Sequence, residues 1–220
     1  MLNPTNILTP LQLSFLDVFG GSFLKEKFYL SGGTALCGFY IPYRYSEDLD
    51  FFSEDEVDTE EVLVWLKSVQ NQLNFRSIDI QTSFNRNLIF LEFEKEMFKT
   101  EFTYFPFPSK GSDTYKNVTV DSIEDIALNK LFTIYQNPRL RDYMDLYMIS
   151  REKEISFETL RKEAKVKFDW HIDPIQLGTQ LLRVSEKKDV PILVGDFDYL
   201  GMEAFFKEVA TSFGSDILKT

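Results

Sequence analysis

The sequence predicts an α+β protein, with a small sheet domain first and a mainly helical half after it. Three observations carry this. From Phe28 to Phe105, short apolar runs of strand length alternate with polar turns. A turn-rich stretch at 106–116 (Pro, Gly, Ser, Asp, Lys) then interrupts the pattern. Beyond it, apolar residues recur at helical spacing behind recognisable caps.

Residues 11–19 are apolar-rich and read as a short helix. Phe28-Tyr29-Leu30 reads as a strand running into Ser31-Gly32-Gly33, with a helix from Thr34 to Phe39. Residues 49–52 form a second short strand with carboxylates set into it. Residues 58–71 form an amphipathic helix that Asp58 can cap, and Glu61 three positions on completes a capping-box pattern. Residues 78–83, 87–93 and 98–105 are three strands in an antiparallel meander. The turn-rich stretch sets the boundary, giving domains 1–110 and 111–220. Ser122 then caps a helix to Gln136, with Asp125 in the capping-box position. Asn137-Pro138 starts a helix running to about Ser150. Helices over 156–168, 173–184 and 202–213 complete the C-terminal half.

Composition narrows the chemistry. At 44% hydrophobic, with 22 Phe and 10 Tyr, the 220-residue chain has ample material for a core, which excludes disorder as its main state. One cysteine, Cys37, excludes an internal disulfide and a paired-cysteine metal knuckle. One histidine, His171, excludes sites built on two histidines. What remains is chemistry run on carboxylates, hydroxyls, backbone amides and a hard cation. The net charge of −11 opposes bulk attraction to nucleic acid. Residues 139–167 are the one basic stretch, with 8 basic against 6 acidic side chains; it is either a solvated helical face or a track for RNA or an acidic partner. Neither a signal peptide nor a membrane span is visible, so a cytoplasmic protein is expected.

The chemistry concentrates between Ser31 and Asp50. In a strand, Asp48 and Asp50 project to one side and Leu49 and Phe51 to the other. Two carboxylates so close repel unless a positive charge lies between them, and Mg²⁺ suits carboxylate oxygens while leaving places for water and phosphates. Such a pair is also a common solvated strand end. Ser31-Gly32-Gly33-Thr34 lies at a strand-to-helix turn, where glycines allow close approach and helix-start amides face the ligand. That is a phosphate cradle or an ordinary tight turn. The short spacing from Gly32 to Asp50 favours neighbouring strands and one shared cleft. Glu101, on one strand face with Lys99, is the candidate third carboxylate. Glu92, Glu94 and Glu96 decorate the solvent side of a hairpin. Arg44 and Ser46 precede the aspartates; Arg44 suits either bidentate phosphate contact or pairing with Asp48 or Asp50. Cys37 is read as core packing and His171 as structural.

These residues resemble a known family. Gly32-Gly33-Thr34-Ala35-Leu36 with Arg44-Tyr45-Ser46-Glu47-Asp48-Leu49-Asp50-Phe51-Phe52-Ser53 is similar to the opening motif of the AbiEii/AbiGii-type toxin nucleotidyltransferases, a branch of the DNA polymerase β-like superfamily. Lys99-Thr100-Glu101-Phe102 resembles the second motif, with Glu where Asp is usual. The run from Asp121 through Asp125, Ile126, Ala127 and Lys130 resembles the third, and Arg141-Asp142-Tyr143-Met144-Asp145-Leu146 the fourth.

The resemblance implies a polymerase β-like mixed sheet flanked by helices, and a Mg²⁺-dependent transfer of NMP from an NTP to an acceptor hydroxyl. It implies RNA, notably tRNA, as acceptor, and a cognate antitoxin as partner. Gly32, Gly33 and Thr34 would hold phosphates, with Arg44, Ser46 and Lys99 beside them. Asp48, Asp50 and Glu101 would bind Mg²⁺. Lys130 would reach the triphosphate or base, and Asp142 and Asp145 would line the nucleotide side. From the residues alone, Lys130 projects from the apolar face of its helix and needs a partner there. Asp142 and Asp145, three apart, share a face, so a salt-bridge network pinning helices explains all three equally. Transfer to a small molecule or protein, and a silent nucleotide- or partner-binding module, are the alternatives.

Overall fold

In a computed structural model of the chain, residues 1–214 are described. The chain divides into two compact units, Met1–Ser122 and Ile123–Thr220.

The first unit is a seven-stranded mixed sheet with helices. Its strands are β1 (Tyr29–Ser31), β2 (Leu49–Ser53), β3 (Ser77–Ser83), β4 (Arg86–Glu92), β5 (Met97–Tyr104), β6 (Ser112–Tyr115) and β7 (Val118–Asp121), in the order β3-β4-β5-β2-β1-β7-β6. The pairs β3–β4 and β4–β5 form the expected antiparallel meander. β2 pairs parallel to β5 and antiparallel to β1, which places the two short strands of the cradle and carboxylates at the sheet centre. The helices are α1 (Pro10–Gly20), α2 (Gly32–Phe39) and α3 (Thr59–Leu73).

One sheet face is sealed by aromatics. Phe15 and Phe19 of α1 meet Trp65 of α3 edge-on at 5.5 and 5.7 Å, and Phe51 stacks on Phe102 at 5.0 Å. Phe15, Phe19, Phe51 and Phe102 have no solvent exposure, and truncating one such ring to Ala costs about 3–5 kcal/mol. Alternation sends Leu49, Phe51 and Phe102 into this layer and leaves Asp50 and Glu101 on the other face.

The expected boundary at 106–116 lies inside this unit. Ser112–Tyr115 and Val118–Asp121 pair around a tight turn at Lys116-Asn117, and β7 joins β1 in parallel. Turn-forming residues mark a hairpin here, and the units divide at Ser122/Ile123.

The second unit is helical: α4 (Ile123–Gln136), α5 (Leu140–Lys153), α6 (Phe157–Phe168), α7 (Pro174–Leu182) and α8 (Tyr199–Ser212). Phe132 of α4 stacks on Phe168 of α6 at 4.0 Å, and Tyr143 of α5 meets Phe206 of α8 edge-on at 5.4 Å. Residues 215–220 of the expected C-terminal domain lie outside the described residues. Among the described residues no helix is long and apolar enough to cross a membrane.

Candidate active site

β1 ends at Ser31 and α2 begins at Gly32, with no linker between them. Gly32 has φ +72°, a left-handed conformation that side-chain-bearing residues avoid. The space a side chain would need is also taken: a Cβ on Gly32 would stand 2.3 Å from Asp50 Oδ2. A Cβ on Gly33 would stand 2.4 Å from Arg44 Nη2 and 3.0 Å from Ser46 Oγ. The two glycines thus admit charged side chains of this chain against the helix start. The Ser31 side chain makes no capping bond to α2; its hydroxyl donates to Asp121 Oδ2 at 2.7 Å.

Strand register aligns the carboxylates. Ser31 stands opposite Asp50 across β1–β2, and Asp50 opposite Glu101 across β2–β5. Directly opposed residues share a sheet face, so Ser31, Asp50 and Glu101 form a row, which the Ser31 bond extends to Asp121. Asp48 lies one residue before β2, in a loop pinned from three sides. Gln12 Nε2 of α1 donates to the carbonyls of Ser46 (2.9 Å) and Glu47 (3.1 Å). The buried Thr34 hydroxyl donates to the Asp48 carbonyl. Lys99 Nζ lies 2.5 Å from Asp48 Oδ2. Thr34, expected at the phosphates, spends its hydroxyl on placing Asp48.

Arg44 is almost fully buried. Its Nε donates to the Tyr43 hydroxyl at 3.1 Å and its Nη1 to the Tyr45 carbonyl at 3.0 Å. It underlies the cradle at Gly33.

Glu101 is committed to Arg86. Arg86 Nε donates to Oε1 and Nη2 to Oε2, both at 2.6 Å, and the Thr103 hydroxyl also donates to Oε1. Burial works to raise the Glu101 pKa, but the hydrogen bonds from Arg86 and Thr103 outweigh it and hold the carboxyl below its ordinary range. The Arg86 pKa is raised, chiefly by its hydrogen bond to Glu101 against the effect of burial, with the charges of Asp50 and Asp48 adding. Among the described residues, no group of three His, Cys, Asp or Glu converges as a metal cage. By donor chemistry Asp48 and Asp50, partly solvent-accessible on either side of Leu49, fit a hard cation. Glu101, the expected third carboxylate, is held through both oxygens by Arg86 and Thr103.

The other expected residues belong to the helical unit. Lys130 of α4 reaches both Asp142 Oδ1 (2.8 Å) and Asp145 Oδ2 (2.7 Å) of α5, and all three are buried. The Arg139 amide donates to Asp142 Oδ2 at 3.0 Å. Burial would raise the Asp142 pKa, but Lys130 and the Arg139 amide keep it below the usual range. A second buried pair, Lys167–Asp125 at 2.7 Å, links α6 to α4. Asp125, at the start of α4, is thus tied to α6.

Sequence reasoning missed three positioning residues. Gln12 reads as an ordinary helix residue, and Asp121 entered only as the first residue of a motif. Arg86 is a lone cation on a hairpin, and only the β4–β5 register brings it to Glu101.

A glycine turn into a helix thus stands beside Asp50 of the adjacent central strand and Asp48 just before it, on a mixed sheet with helices. Residues 14–210 match the family described as nucleotidyl transferase AbiEii toxin, type IV toxin–antitoxin system, and the chain belongs to that family. The crystal structure of JHP933 from Helicobacter pylori is similar with a TM-score of 0.60 at 18% identity, covering 99% of this chain and 96% of that one. A second H. pylori crystal structure, whose name proposes a nucleotidyltransferase, gives a TM-score of 0.57 at 19% identity over 96% of this chain and 98% of that one. A comparison with curated protein sequences finds no match. Family membership makes the chain a nucleotidyltransferase with a toxin–antitoxin context and implies an antitoxin.

Proposed function

We propose that this enzyme transfers NMP from an NTP to a hydroxyl of RNA, with tRNA the acceptor class the motif resemblance implies, and that it does so in the cytoplasm as the toxin of its pair. The observation that carries the reading is the contact of Gly32 with Asp50: the helix start that suits a phosphate and the carboxylate that suits a cation are separated by less than a side chain. In the reaction the acceptor oxygen forms a bond to the α-phosphorus and loses its proton. The bond from that phosphorus to the bridging oxygen breaks, and pyrophosphate leaves.

The amides at the start of α2 hold phosphate oxygens, favoured by the helix dipole. Arg44 and Ser46, packed at Gly33, stiffen this turn and add positive charge beneath it. Asp48 and Asp50 would hold Mg²⁺, which would supply neutralisation of phosphate charge and activation of the attacking hydroxyl. Lys99 keeps Asp48 oriented. Catalysis here is positioning and charge neutralisation.

The net charge of −11 favours a second reading, transfer to a small alcohol or a protein hydroxyl. The test is to supply each α-labelled NTP with Mg²⁺ and, separately, total tRNA, protein or small alcohols. Label in tRNA supports the proposal. Label confined to protein or small molecules replaces it with the second reading.

A further inference from the structure

The β3–β4 hairpin ends in an unusual turn. Phe84 is fully exposed (101%) and sits at φ +51°, where a bulky residue is a steric outlier. Asn or Gly would make the same turn at lower cost, so neither packing nor turn geometry accounts for a phenyl ring here. The turn is anchored, because the Tyr104 amide at the end of β5 donates to the Asn85 carbonyl at 2.9 Å.

Two residues on, Arg86 is fixed by Glu101 through a fork while 60% of its side chain stays exposed. A guanidinium has five N–H donors, and this fork uses two of them. The carboxylates near Arg86 are those of the candidate site, Glu101, Asp50 and Asp48. In a chain with 35 acidic residues, the run from Ile80 to Leu91 contains none.

The sheet order then assigns the flank. β4 carries Arg86, β5 carries Glu101, β2 carries Asp50 with Asp48 just before it, and β1 leads into the cradle of α2, in that order across the sheet. If NTP phosphates lie on the cradle, Arg86 and Phe84 lie on the opposite side of Asp50. In-line phosphoryl chemistry puts the attacking and leaving oxygens on opposite sides of the phosphorus. The flank away from the cradle is therefore the acceptor's.

We propose that the end of the β3–β4 hairpin binds the acceptor strand: Phe84 stacks on an unpaired RNA base, and Arg86, held by Glu101, grips a phosphate of the same strand. This rests on the reading of RNA as acceptor. Single-stranded RNA is recognised by aromatic stacking beside basic side chains, and the two residues supply one of each. Glu101 acts through Arg86 as a positioning residue.

The test is direct binding without NTP or metal, by fluorescence anisotropy of an unstructured, end-labelled RNA oligonucleotide with a free 3′-hydroxyl. Phe84→Ala should weaken RNA binding about tenfold, within the range for losing one stacked base. Arg86→Gln should weaken it similarly and reduce the salt slope by about one phosphate contact. Glu101→Gln should reproduce part of the Arg86→Gln loss. NTP affinity by calorimetry should stay unchanged in Phe84→Ala and Arg86→Gln, and Phe84→Ala should keep the wild-type denaturation midpoint. Unchanged RNA binding in Phe84→Ala and Arg86→Gln would overturn the proposal. So would a loss of NTP affinity in Arg86→Gln, which would move it to the cradle side. Wild-type protein that binds no RNA yet labels protein or a small alcohol would overturn both the hairpin's role and RNA as acceptor, while leaving nucleotidyl transfer standing.

Discussion

Gly32 and Asp50 occupy each other's space: a single methyl group on the glycine would stand 2.3 Å from the aspartate's Oδ2. The start of α2 and the central carboxylate are thereby held in one place by the absence of a side chain. Gly32→Ala is expected to destabilise the sheet unit by at least about 1 kcal/mol, since alanine at φ +72° is strained even before the clash. It should also weaken divalent-ion binding by displacing Asp50. Urea denaturation and Mn²⁺ titration read the two effects separately; a variant unchanged in both would contradict the contact.

Lys99 neutralises Asp48, so a cation binding at Asp48 must share the carboxylate with it. Both side chains are about a quarter to a third exposed, so solvent screening reduces the interaction to about 1 kcal/mol. Lys99→Met should tighten Mn²⁺ binding about fivefold while slowing transfer. Equal or weaker Mn²⁺ binding would mean that Lys99 organises Asp48 more than it competes for it.

Lys130 compensates two buried carboxylates at once. Lys130→Met leaves both without their cation and should cost about 3–5 kcal/mol. Replacing the whole set, as Lys130→Met/Asp142→Asn/Asp145→Asn, should recover much of that loss. Thermal and urea denaturation of the single and triple variants give the answer, and a triple variant no better than the single would refute the network.

Asp142 carries a pH signature. Its folded pKa is depressed below its unfolded value of about 3.9, so the stability it contributes is fully present above that value. That contribution is lost as pH falls through the folded pKa. The stability gap between wild type and Asp142→Asn should therefore be constant above about pH 5 and shrink below about pH 4. A gap that grows on acidification would reverse the sign of the argument.

The elements were legible where punctuation agreed with periodicity. Gly32-Gly33 after an apolar triplet marked the β1–α2 turn, and Asp58 caps α3 as expected, accepting from the Glu60 amide. Glu61, however, does not close a capping box; it pairs with Lys27 across the chain. Asp125 pairs with Lys167, 42 residues away. Local spacing cannot show such long-range partners. The hairpin of β6 and β7 was hidden because its strands are short and polar and its turn residues imitate a linker. In the site, the aspartates and glycines were visible as a pattern, whereas the partners that orient them were not. Arg86, Gln12 and Asp121 depend on register and packing, which no single segment encodes.

The most direct test of the account is Mg²⁺-dependent transfer from α-labelled NTP, in the presence of total tRNA, by wild-type protein and by Asp48→Asn/Asp50→Asn. The account predicts label in tRNA that requires the divalent ion and disappears in the variant, with the variant's fold intact by circular dichroism. Transfer that persists in the variant, or that proceeds unchanged without a divalent ion, would contradict it.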